Sequence, residues 1–177
     1  IEAALETLTP ETQRSWEQKA LAGDALAQNV TGMAYKYGRF GVSQDHAASI
    51  KWFRMAAEQG EADAQFNLAR IYGKADGMYK RARAAPQDDA EAFKWYRLSA
   101  EQGHTLAQVH LAEMYAEGGL NVPRDQIQAY KWLSVAAASG NPTAAKRLTT
   151  YATGMTPEQV RQAESLAQEW KNRHRVN

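Results

Sequence analysis

The stretch Asp88-Asp89-Ala90-Glu91-Ala92-Phe93-Lys94-Trp95-Tyr96-Arg97-Leu98-Ser99-Ala100-Glu101-Gln102-Gly103 decides the fold, because it is written three times. The other copies carry Asp45, Lys51, Trp52, Ala56, Ala57, Gly60 and Asp125, Lys131, Trp132, Ala136, Ala137, Gly140 at the same offsets. A fixed register of this kind predicts stacked copies of one supersecondary unit, since a single copy cannot bury its own apolar face. Within each copy the aspartate stands where it can cap free backbone N–H groups. The tryptophan and the paired small residues follow at the spacing of one helix face. The tryptophans are expected to fill helix interfaces rather than to form a ladder for stacking a ligand.

Upstream of each aspartate lies a second helical pattern. It holds Ala64, Leu68, Ile71 and Tyr72 in one copy, and Ala107, Leu111, Met114 and Tyr115 in another. Offsets of three and four put these residues on one face. Glycine-bearing loops such as Tyr35-Lys36-Tyr37-Gly38 and Glu117-Gly118-Gly119 follow. Glycine there can take the left-handed conformation that ends a helix.

The spacing also locates an insertion. Gly23 to Gly60 is 37 residues, Gly60 to Gly103 is 43 and Gly103 to Gly140 is 37. Tyr35 to Asp45 and Tyr115 to Asp125 are 10 apart, whereas Tyr72 to Asp88 is 16. The extra residues therefore fall between the helices of the middle copy, around Ala75–Pro86. Beyond the repeats, Thr9-Pro10-Glu11 and Thr156-Pro157-Glu158-Gln159 read as helix starts, the latter as a capping box. Val160, Ala163, Ala167 and Trp170 form an inward stripe after it. The basic tail from Lys171 is expected to fray.

The bulk numbers agree with an all-α chain. Its 177 residues are 44% hydrophobic, rich in alanine and poor in valine and isoleucine. The charge is balanced at +1, from 21 basic and 20 acidic residues, which disfavours a dedicated nucleic-acid binder. No cysteine is present, so disulfides and thiolate metal sites are excluded. No stretch is long and apolar enough to span a membrane. The histidines His46, His104, His110 and His174 have no metal-ligand spacing and read as scattered surface residues. No nucleophile motif or phosphate loop stands out, so neither a cofactor nor catalysis is expected.

The pattern Ala-x-x-x-Leu-(Gly/Ala)-x-x-Tyr, Gly, Asp-x-x-x-Ala-x-x-Trp-x-x-x-Ala-Ala-x-x-Gly resembles the Sel1-like repeat, a relative of the tetratricopeptide repeat. The resemblance covers about Lys19–Ala152. Thr31, Ser49 and Ser99 depart from the usual leucine or small residue. It implies a right-handed superhelical α-solenoid of antiparallel helix pairs, capped by a helix at each end. The expected layout is a helix over 10–22, and repeats over 24–60, 61–103 (with the loop 75–86) and 104–140. A partial fourth repeat over 141–153 and a capping helix over 157–173 complete it.

The resemblance further implies an adaptor that holds a protein or peptide in a concave groove. Carried over by position, the groove residues are Asn29, Met33 and Tyr37; Phe66, Arg70 and Lys74; and Val109, Glu113 and Glu117. Each triple is spaced by four residues and so shares a helix face. Lys80, Arg81 and Arg83 in the insertion would add a basic lip, and Glu113 and Glu117 would make the groove acidic beyond it. Alternatives are a structural repeat domain of a larger envelope or regulatory protein and, remotely, a β-lactam or cell-wall-ligand enzyme or binder. A bacterial origin is expected. The start at Ile1 fits a removed leader or an excised piece, and a periplasmic or envelope location is expected ahead of a cytoplasmic one.

Overall fold

The computed structural model describes residues 10–73, 85–119 and 121–174. Nine α-helices occur among them: α1 (Pro10–Leu21), α2 (Ala25–Tyr37), α3 (His46–Glu58), α4 (Ala62–Tyr72), α5 (Asp89–Glu101), α6 (Thr105–Glu117), α7 (Gln126–Ala138), α8 (Pro142–Ala152) and α9 (Pro157–His174). The only β pairing among the described residues is an isolated bridge between Gly119 and Val122. The chain divides into two compact units, Ile1–Asp88 and Asp89–Asn177. In the first, α1 packs on α2, α2 on α3 and α3 on α4. In the second, α5 packs on α6 and α6 on α7, while α7 carries both α8 and α9.

The turns repeat as strictly as the sequence. Gly23, Gly60, Gly103 and Gly140 all have left-handed φ, at +99°, +94°, +90° and +86°. One residue later the next helix is capped by a side chain. Asp24 accepts from the Ala27 N–H at 2.7 Å, Asn141 from Ala144 at 2.9 Å and the His104 ring from Ala107 at 3.1 Å. Four chemically different side chains, with Glu61 the fourth, thus do one job. Asp45 and Asp125 cap α3 and α7 as the sequence predicts.

A second contact fixes the aspartates. The backbone N–H of Asp45, Asp88 and Asp125 donates to the carbonyl of Tyr35, Tyr72 and Tyr115, at 2.9, 2.9 and 2.8 Å. The insertion therefore leaves and rejoins the repeat at the same two points as the short loops do. Residues 74–84 of the insertion lie outside the described residues. Gly73 before it is extended, with φ −81°, whereas Gly38 is left-handed at +63°.

The helix pairs are tied by a glutamine in each copy. Gln28, Gln65 and Gln108 are nearly inaccessible, and each donates its side-chain amide to a carbonyl eight residues earlier. The acceptors are Ala20, Ala57 and Ala100, at 3.1, 3.1 and 3.2 Å. This bond crosses the left-handed glycine turn and gives a carbonyl near the end of the preceding helix a second donor, beside the N–H of the turn glycine. Gln65→Ala removes one of the donors to the Ala57 carbonyl, which keeps the Gly60 N–H, and is expected to lose about 0.5–1.5 kcal/mol. Exposed Gln162→Ala is expected to stay within about 0.5 kcal/mol of wild type. Urea titration of both variants is the check, and equal midpoints would refute the role assigned to the glutamine.

The cores are built of small residues against aromatic ones. Phe53 is fully buried, and it lies so close to Gly32 that a Cβ there would sit 2.7 Å from its ring. Trp95 and Trp132 are buried as expected, but Trp52 is only half-buried. The next residue is buried in all three copies, as Phe53, Tyr96 and Leu133.

At the far end α9 starts with the predicted capping box. The Thr156 N–H donates to Gln159 Oε1 at 2.9 Å, and the Gln159 N–H donates to Thr156 Oγ1 at 3.3 Å. Ala163, Ala167 and Trp170 are its buried stripe. Trp170 meets Trp132 edge-on at 5.9 Å and donates its indole N–H to Glu101 at 2.8 Å. The expected fraying from Lys171 is not observed there. The helix continues through His174, whose ring stacks on Trp170 at 3.9 Å.

Candidate functional site

The first-helix faces hold the residues that the sequence singles out. In the first unit, Asn29, Met33 and Tyr37 lie in one row on α2, and Phe66 and Arg70 in one on α4. Asn29 and Phe66 are buried, at 1% and 8% exposure. Asn29 accepts from the side-chain amide of Asn67 at 3.2 Å, and the same amide lies 3.8 Å from the Met33 sulfur. These two residues therefore join α2 to α4. Met33 and Arg70 remain half-exposed and Tyr37 is 38% exposed. The accessible part of the face thus starts one turn further along each helix than its first predicted member.

Cations gather at that end. Lys36 Nζ lies 5.3 Å from the Tyr37 ring centroid and the Arg39 guanidinium 5.5 Å from it. The Arg70 guanidinium lies 5.7 Å from the Phe66 ring. Such contacts hold a long cationic side chain against an aromatic face; Arg39 is exposed there, whereas Lys36 is buried. The loop that carries Arg39 is strained. Phe40 has φ +60°, a conformation that bulky side chains avoid and that costs about 1–3 kcal/mol. Phe40 lines a small, mostly apolar recess with Trp16, Val30, Ala34 and Val42. Lys74 of the predicted groove and Lys80, Arg81 and Arg83 of the predicted basic lip lie outside the described residues.

In the second unit Val109 is buried, Glu113 is half-exposed and Glu117 is exposed. The structure corrects the reading of Glu113 as an open acidic site. One carboxylate oxygen pairs with the Arg147 guanidinium of α8, and the other lies 3.0 Å from His110 Nδ1. Arg147 stands 34 residues after Glu113, the same separation as Asn67 from Met33. The repeat therefore brings first-helix rows into contact at a fixed offset, with a neutral pair in one unit and an ion pair in the other.

The histidines are also more than scattered surface residues. His104 caps α6, His110 stacks on Tyr96 at 5.1 Å, and His174 stacks on Trp170. Sequence spacing tests for a metal site, and it is blind to these single-residue contacts. Among the described residues no group of three or more His, Cys, Asp or Glu side chains could hold a metal ion. No helix among them is long and apolar enough to cross a membrane.

Burial tunes Tyr115, Tyr130 and Lys131 in the second unit, raising both phenols. It pushes the Tyr115 phenol above its ordinary value, with Arg97 opposing and Asp125 and Glu101 adding. It pushes the Lys131 amine below its ordinary value, with Glu101 opposing. That amine lies 4.1 Å from the Trp132 ring centroid.

Sequence reasoning missed Arg39, Asn67, His110 and Arg147, and it missed the glutamines. The glutamines had a signal, since each directly follows the alanine at Ala27, Ala64 or Ala107. The others differ from copy to copy, so no register marks them.

Comparison with known proteins agrees with this geometry. Sel1 repeats match residues 25–61, 62–104 and 105–141. A Sel1 repeat protein from Oxalobacter formigenes is similar, at 34% identity and a TM-score of 0.66, over 77% of this chain and 96% of that one. So is c5321, a protective antigen of uropathogenic Escherichia coli with an SLR fold. That match has 29% identity and a TM-score of 0.50, over 89% of this chain and 40% of that one. Over 61 residues the chain is 33% identical to HRD3A of Arabidopsis thaliana, an ERAD-associated E3 ubiquitin-protein ligase component. That match covers 34% of this chain and 9% of the plant protein. Proteins of this repeat are generally non-enzymatic. A repeat read from three in-register copies, the helix pairs folded from them and the family match coincide: the chain belongs to the Sel1 repeat family, whose members generally mediate protein–protein interaction.

Proposed function

We propose that this chain is an interaction module that holds a partner polypeptide against its first-helix faces. The observation that carries the reading is the exposed end of the α2 face. There Tyr37 is exposed and Met33 half-exposed, as is Arg70 on α4, over rows held by Asn29, Asn67 and Phe66. A rigid backing that presents a large aromatic and an arginine is the kind of surface on which binding energy concentrates. In the second unit, Glu117 and the Glu113–Arg147 pair occupy corresponding rows and set a different local charge. Different side chains on a common frame let one repeat type select its own partner.

Site-specific photocrosslinking in the native cell tests this. A crosslinker at position 37, 70 or 117 is expected to capture a discrete polypeptide. A crosslinker at Met55 or Leu98, both exposed on second helices, is expected not to. Equal capture from both sets, or capture from the second helices alone, would overturn the assignment.

A further inference from the structure

The residue after each left-handed glycine caps the next helix, and one of these caps differs in kind. Asp24, Glu61 and Asn141 offer a carboxylate or amide oxygen, whereas His104 offers a ring nitrogen. The frame is shared. The φ, ψ pairs are −64°, 116° at Asp24, −66°, 117° at Glu61, −67°, 105° at His104 and −75°, 113° at Asn141. Each side chain accepts from the backbone N–H three residues on. The residue type therefore changes the chemistry of the cap and not its geometry. Between about pH 5 and 8 a carboxylate stays ionised and an amide does not titrate, but histidine is the side chain that ordinarily changes charge.

The direction of the bond fixes the state of the ring. A backbone N–H only donates, so Nδ1 of His104, 3.1 Å from the Ala107 nitrogen, must hold a lone pair. The proton of the neutral ring is then on Nε2. A second proton goes to Nδ1 and turns the acceptor into a donor that faces a donor. It also puts a positive charge at the N-terminus of α6, against the helix dipole. Ala107 is fully buried, so water is poorly placed to replace the lost acceptor. Whatever Nε2 meets, a proton on Nδ1 ends the cap.

We propose that His104 makes the start of α6 a pH-sensitive joint: the neutral ring caps the helix, and the protonated ring releases the Ala107 N–H and loosens the first turn. The unfolded turn has no cap to lose and takes the proton more readily, so the hold weakens as pH falls. The charged and titratable neighbours in this unit are Arg97 and Glu101 on α5, Lys131 on α7, Lys146 and Arg147 on α8, and Glu169, Lys171, Arg173 and His174 on α9. Lys171 and His174 line one groove with Gln102 and Gly103, next to the cap. These groups set how readily the proton is added, and none lets a protonated Nδ1 accept.

The second histidine of α6 answers acid in the opposite sense. His110 Nδ1 faces a Glu113 carboxylate oxygen at 3.0 Å, and a protonated ring still donates to it. Glu113 in turn pairs with Arg147. The loosening is thus confined to the first turn, while the middle of α6 stays tied to α8. The inference stands apart from the interaction-module reading, because it concerns how this helix is held and not what meets it.

Native-state hydrogen exchange read by nuclear magnetic resonance tests it on the whole chain, with rates corrected for the intrinsic pH dependence. Between about pH 7.5 and pH 5, protection of the Ala107 amide is expected to fall roughly fivefold, the worth of a cap, while that of Leu111 and Ala112 holds. H104N, which puts the side chain of the Asn141 turn on the same backbone, is expected to keep the wild-type protection at the higher pH and to lose none at the lower. H104D is expected to do the same, and either variant decides should the other unfold. Imidazole nitrogen shifts at the higher pH are expected to show the His104 proton on Nε2. An equal fall at Ala107 in wild type and the folded variants, no fall in wild type, or a proton on Nδ1 at the higher pH would overturn the proposal.

Discussion

Trp132→Ala is expected to cost about 3–5 kcal/mol, a large share of the roughly 5–15 kcal/mol that holds a domain together. Trp132 is 1% exposed and fills the ground between α7 and the closing helix. Its ring meets Trp170 edge-on at 5.9 Å, and the Lys131 amine lies 4.1 Å from its centroid. Truncation to alanine leaves a void that the surrounding helices can only partly close. It also removes the platform on which Trp170 docks α9, so two elements loosen together. The three repeat tryptophans should rank by burial. Trp132→Ala is expected to lose most, Trp95→Ala less and the half-buried Trp52→Ala least. Guanidinium titration followed by far-ultraviolet circular dichroism gives the order. A loss below about 1 kcal/mol at position 132 would show that α9 is not closed onto the core in this way.

Phe53→Ala is expected to cost a similar amount, about 3–5 kcal/mol, for a different reason. Here the aromatic is gripped by a residue that has no side chain. Gly32 brings α2 close enough to α3 for the Phe53 ring to lie flat against its backbone, and a Cβ there would fall 2.7 Å from the ring. Gly32→Ala is therefore expected to destabilise despite its better helix propensity. Overpacking costs about 1–3 kcal/mol against about 1 kcal/mol gained. The pair should be coupled. Gly32→Ala is expected to be better tolerated in a Phe53→Leu background than in wild type, with an interaction energy of at least about 0.5 kcal/mol in a double-mutant cycle. Strict additivity would mean that the close approach does not govern this packing.

Both predictions come from positions whose role was legible in the sequence only in part. The tryptophans recur at one offset from a capping aspartate and a terminal glycine, so the helix pairs, their ends and their inward faces follow from register alone. The caps at Asp45 and Asp125 and the box at Thr156 and Gln159 follow from local chemistry that needs no neighbour. What register does not encode is how deeply each tryptophan is buried. In the first copy Trp52 is half-exposed, although the residue after it is buried there as in the other two copies. It also says nothing of contacts between equivalent rows of successive first helices. Asn67 reaches Asn29 and Arg147 reaches Glu113 across 38 and 34 residues, through side chains that differ in every copy. The acidic character read at Glu113 failed for that reason, since its neutralising partner lies one repeat away. The glutamines were legible and went unread. They look like ordinary polar helix residues until the turn before them is known to bring a helix-end carbonyl within reach of their amides.

The site residues show the same division. Spacing by four puts Asn29, Met33 and Tyr37 on one face, and they are on one face. Spacing cannot say how deep a face lies. The first member of each triple is buried against its neighbours, so the groups available to a partner are those nearer the ends of the helices.

The central claim is that the first helices, not the second, meet the partner. Hydrogen exchange of the protein with and without its captured partner tests this most directly. Amides of α2, α4 and α6 are expected to slow on binding while those of α3, α5 and α7 keep their free rates. Protection confined to α3, α5 and α7 would contradict the account.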